Sequence, residues 1–109
     1  MAAQDQTIKK AEQCLNMADV RAGIDRLDQM LVALLAERQR YIERAAEIKA
    51  RRQDIRDEAR IADVLAKISA EAERTGLKVD LAQAVWRTLM EGSIAYEMQR
   101  FETRPKAGV

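Results

Sequence analysis

The sequence predicts an all-α protein of three helices, one of them very long, and three observations carry that prediction. An apolar seam at steps of four and three runs from Val20 through Ile24, Leu27, Leu31, Leu34, Tyr41 and Ala45 to Ile48. That spacing stacks side chains on one face of a helix. Aromatic residues make up 4% of the chain and proline occurs once, which argues against a β sandwich or barrel. The remaining composition, 48% hydrophobic and 34% charged, suits a soluble helical protein.

Residues 1–18 have weak periodicity and mixed polarity and are expected to form a flexible leader. Asp19 is the expected N-cap of the long helix, with its carboxylate near the positive end of the helix dipole. Gly23 costs about 1 kcal/mol relative to Ala in a helix interior, which the pattern absorbs. The helix should run to about Arg51, roughly 45 Å, whereas a compact hundred-residue domain has a radius of gyration of about 13 Å. Two helices of ordinary length cannot cover such a face, so a second copy of the chain is expected to cover it. One cation, Arg38, interrupts the seam; it either snorkels outward or meets an anion inside.

Residues 50–60, ARRQDIRDEAR, lose the apolar period and form the first connection. A second helix begins near Asp57 and runs through Ile61, Leu65, Ile68 and Ala72 to Thr75. There Gly76 and Leu77 have the form of a left-handed C-terminal cap with its hydrophobic contact. Asp80, with Gln83 three residues on, resembles a capping box and opens a third helix. It continues through Trp86, Leu89, Met90, Ile94 and Met98 to about Glu102, and Pro105 prevents its extension. The folded domain is therefore expected over residues 19–102, with residues 103–109 as a disordered tail.

Nineteen basic and eighteen acidic residues leave a net charge of +1, so no electrostatic footprint for nucleic acid is expected. The single cysteine, Cys14, cannot form an intrachain disulfide, and no signal-type or membrane-spanning apolar run is present in the sequence. A reducing, cytoplasmic setting is expected. Histidine is absent. The usual zinc sites and the Ser-His and Cys-His nucleophile arrangements are thereby excluded. Arg, Lys, carboxylates, amides and hydroxyls remain, a set suited to binding anions and stabilising developing charge, with no metal or cofactor expected.

Lys49 lies eleven residues beyond Arg38, about three turns, so both long side chains can converge on one small ligand. Arg21 is seventeen residues before Arg38, about 25 Å away along the axis and rotated by roughly 100°. If it joins the same site, it comes from another subunit. Ser93 and Glu97 share a face of the third helix at a spacing of four, and Asp57 and Arg60 open the second helix at a spacing of three. Taken pairwise, these residues fit plainer roles: snorkelling cations, a surface ion pair, a solvated helix face. Trp86 and Met90 fit the core.

In their joint order they resemble the all-α family of chorismate mutases, from about Asp19 to Met98. The resemblance is carried by DVRAGIDRLDQMLVALLAER, by IKARR, by the D-x-x-R of Asp57 and Arg60, and by EGSIAYE on the third helix. It implies an intertwined helical homodimer with two shared sites. It also implies an isomerase of aromatic amino-acid biosynthesis that rearranges chorismate to prephenate. By position, Arg21 of the partner subunit and Arg38 would bind the two substrate carboxylates, and Lys49 would approach a carboxylate and the ether oxygen. Asp57 would meet the ring hydroxyl, Arg60 would support the loop and the anion, and Ser93 would contact a carboxylate.

Two positions depart from the family pattern. Ile61 stands where a Glu can help bind the hydroxyl, and Glu97 stands where many members have Gln facing the ether oxygen. A carboxylate donates a hydrogen bond only when protonated. Activity is therefore expected to fall as pH rises through the titration of Glu97, and Glu97→Gln to flatten the profile. An isochorismate pyruvate lyase on the same fold is the nearest alternative, and the retained Asp57 favours the mutase over it. From a different class, a non-catalytic helical dimerisation module would account for the long seam alone. RNA binding through the arginines of residues 51–60 ranks last, because acids are interleaved with them.

Overall fold

The computed structural model describes residues 8–105; the rest of the expected leader and tail, residues 1–7 and 106–109, lie outside the described residues. Three helices form, α1 (Met17–Ile48), α2 (Glu58–Thr75) and α3 (Val79–Thr103). Single turns of 3-10 helix span Ala11–Gln13 and Arg52–Asp54. No strand occurs among the described residues. The all-α class and the three helices, one very long, stand as the periodicity implied. No helix is long and apolar enough to cross a membrane among these residues. The chain divides into two compact units with the boundary after Arg38, inside α1.

In the first unit, α1 opens three residues earlier than expected, and Asp19 is not its N-cap. Asn16 holds that position, its Oδ1 accepting the Asp19 backbone N–H at 2.9 Å. The Asp19 carboxylate instead reaches back to the Leu15 N–H (3.1 Å) and the Lys9 ammonium (3.1 Å). These contacts, the Leu15 bond foremost, hold its acid below the usual carboxylate range. They tie the incoming strand of chain to the first turns of α1. Beyond them, Ile24, Leu27, Leu31 and Leu34 remain 48–60% exposed, and none of the described residues of this unit is buried.

The second unit holds the core. Ala46 from the end of α1, Ile55 from the connection, Ala72 from α2, and Ala82 and Met90 from α3 are buried. Alanine at these facing positions lets α2 and α3 approach closely, and Met90 fills the remaining irregular space. The turn between α2 and α3 is made by Gly76 at φ 83°, the left-handed conformation that glycine adopts without a Cβ penalty. Leu77 after it stays 46% exposed, so the cap forms with little of its expected hydrophobic contact. The expected capping box of α3 does not form. Lys78 is the N-cap, without a side-chain bond, and Gln83 donates across to Ser69 Oγ on α2 at 2.8 Å.

Candidate active site

At the end of α1 the helix stops at Ile48, about a turn before the expected Arg51, which places Lys49 on the first residue outside it. Its amide still bonds to Ala45 O at 3.0 Å, so its backbone completes the last turn. Its ammonium lies 2.7 Å from Glu97 Oε2 on α3. Glu97 is 4% exposed and is the one buried charged residue among those described. No hydrogen bond to that oxygen is made among the described residues, and its contact with the ammonium is an ion pair. A buried acceptor without a directed partner is uncommon in a settled core.

Neighbouring residues brace this pair. Tyr96, next to Glu97, donates its phenol to Glu43 Oε2 at 2.6 Å, joining α3 to α1. That bond raises the Tyr96 phenol above its ordinary range. Arg104, just past α3, donates to backbone carbonyls at the end of α1. The connection between α1 and α2 is fastened to α3 from both ends. Arg52 pairs with Glu102 at 3.0 Å, and Arg56 grips Glu91 through two bonds of 3.1 and 2.7 Å. Ile55 between them is buried. The fork of two bonds from Arg56 is the geometry guanidinium favours, and it holds the Glu91 acid below the usual range.

Asp57 is the N-cap of α2, with Oδ1 accepting the Arg60 N–H at 3.1 Å. The spacing of three between Asp57 and Arg60 is thus the spacing of a helix cap. The Arg60 guanidinium runs along the exposed side of α2 to Asp63 Oδ2 at 2.8 Å. Ser93 is half-buried on α3, one turn before Glu97, and Ile61 is half-buried on α2. In the first unit, Arg21 is exposed on the second turn of α1, and Arg38 is half-buried as that unit's last residue. Tyr96, Glu43 and Arg104 have no counterpart in the sequence reading. Each acts across more than fifty residues, and none interrupts an apolar period that would have drawn attention to it.

The described residues thus form a helical fold with one buried carboxylate beside a lysine. Within that class, residues 20–98 match the family described as chorismate mutase type II, and the chain belongs to that family. It is also 29% identical, over 92 residues, to an isochorismate pyruvate lyase of Pseudomonas aeruginosa, an alignment covering 84% of this chain and 91% of the relative.

Proposed function

We propose that this protein is a chorismate mutase that converts chorismate to prephenate and works as a homodimer. The observation that carries the reading is the Lys49–Glu97 pair, a cation beside a buried carboxyl group on the wall of the second unit. The rearrangement breaks a C–O bond as a C–C bond forms and needs neither proton transfer nor a covalent intermediate. Histidine's absence is no handicap for it. What the site must supply is a clamp for a dianion and positive charge where the ether oxygen gains negative charge.

In this reading Arg38 and Arg21 of the partner subunit hold the two carboxylates by paired hydrogen bonds, a task lysine performs poorly. Lys49 turns its ammonium to the ether oxygen, with Glu97 keeping it within reach. Asp57 has one oxygen fixed by the helix cap and offers the other to the ring hydroxyl, the contact that Ile61 cannot make. Ser93 reaches a carboxylate from α3, and Arg60 gives up Asp63 to support the loop over the anion. The exposed apolar seam of α1 is covered by the second copy.

A second reading, pyruvate elimination from isochorismate, is favoured by the lyase of Pseudomonas aeruginosa, whose length the alignment nearly fills. Both reactions would use the same cations on isomeric substrates. The deciding experiment offers purified protein chorismate and isochorismate separately. Prephenate from chorismate is expected; pyruvate released mainly from isochorismate would transfer the function to the lyase, and turnover of neither would end both readings. Lys49→Gln should lower the rate by on the order of a hundredfold to a thousandfold, the loss seen when a preorganised donor is removed.

A further inference from the structure

The tail that stops α3 has a second effect at the end of α1. A residue before proline is driven out of the helical region, and Arg104, followed by Pro105, is extended at φ −71° and ψ 152°. From there its guanidinium crosses to α1. Nη1 donates to Lys49 O at 2.6 Å and Ala46 O at 2.8 Å, and more distantly to Glu47 O at 3.3 Å. The guanidinium carbon lies 3.8 Å from the centre of the Phe101 ring, which fixes its plane. The last carbonyls of a helix have no partner within it and attract a cation, yet the last turn of α1 carries no basic residue of its own. Arg104 provides that cation from the far end of the chain.

Lys49 is consequently held at three points. Its N–H bonds to Ala45 O, its C=O accepts from Arg104, and its ammonium faces Glu97. The Ala45 bond fixes the backbone before the Lys49 Cα, and Arg104, which joins the Lys49 carbonyl to that of Ala46, fixes it after. We propose that Arg104 is a positioning residue that aims the Lys49 ammonium by clamping the backbone on which it stands. The kinetic consequence rests on the proposed mutase reaction; the aiming itself does not.

The test compares wild type, Arg104→Ala and Arg104→Lys as full chains, well below each variant's melting temperature. The alanine variant is expected to lose about tenfold to a hundredfold in kcat with little change in KM, the cost of displacing a catalytic group by about an ångström. The lysine variant retains a donor for the carbonyls and is expected to recover most of that loss. Independently of turnover, NMR of the ligand-free protein reads the two Lys49 Hε protons, assigned through Lys49→Arg. They should be inequivalent in wild type, merge in the alanine variant and separate again in the lysine variant. Unchanged Lys49 signals in the alanine variant, or a kcat equal to wild type, would overturn the proposal and leave Arg104 a helix cap only. If wild type turns over neither substrate, the mutase reading fails by itself and the Lys49 signals alone decide the role of Arg104.

Discussion

The two units of this chain treat their apolar residues in opposite ways. In the first unit, Ile24, Leu27, Leu31 and Leu34 stand on a regular helical seam and remain about half exposed. In the second, Ala46, Ile55, Ala72, Ala82 and Met90 are buried, along with one carboxylate. Periodicity says which residues share a face; only a facing element turns that face into a core. The second unit contains its facing element, since α2 and α3 pack on each other around Gly76. The seam of the first has no such cover among the described residues of its unit, which is why a second copy enters the proposed function.

The sharpest way to break this contrast is a charge on the seam. Leu31→Glu should leave an isolated chain nearly as stable as before, because exposed substitutions are worth within about 0.5 kcal/mol. In a homodimer the same carboxylate would be buried against the partner and unpaired. On the proposed homodimer, the expected outcome is conversion to monomer by light scattering, with activity lost because Arg21 would no longer arrive from the partner. A variant that assembles and turns over like wild type would make the seam a solvent-facing surface.

How far each region could be read from sequence follows the same division. The limits of α2 were legible because both of its ends are local devices, the Asp57 cap and the left-handed Gly76. The start of α1 differs from the expected Asp19 cap. Asn16 takes the cap because Asp19 is drawn to Lys9 and the Leu15 N–H, contacts that exist only once the preceding chain folds back. The start of α3 was misjudged for a related reason: Gln83 bonds to Ser69 on the neighbouring helix instead of returning to its own backbone. In the site, Lys49 and Glu97 were marked by register and by resemblance. Arg104 and the Tyr96–Glu43 bond join α1 to α3 across long separations in sequence, and nothing local signals them.

In the second unit the contrast is sharpened by removing a residue from the core. Met90 is 7% exposed, so Met90→Ala leaves a cavity as well as losing transfer free energy. A loss of about 2–5 kcal/mol is expected in denaturant unfolding. Truncating the half-exposed Leu34 should cost much less in any state in which the seam is uncovered. Comparable losses at both positions would show that the seam is buried in solution, as the proposed homodimer requires.

The smallest effect expected concerns the bond that joins the end of α1 to α3. The Tyr96 phenol donates to Glu43, and its acidity is suppressed in the fold first by that bond and then by desolvation. A pKa raised in the folded state means that the fold prefers the neutral phenol. Its contribution to stability is therefore complete below the ordinary tyrosine value of about 10, and is lost as pH rises through the higher folded value. Tyr96→Phe should lower the melting temperature slightly at about pH 8, and the gap from wild type should narrow as pH rises beyond about 10. A gap that stays constant to about pH 11 would mean that Tyr96 gains nothing from Glu43. The brace beside Glu97 would then lie in packing, and the orientation of Glu97 toward Lys49 would depend on α3 alone.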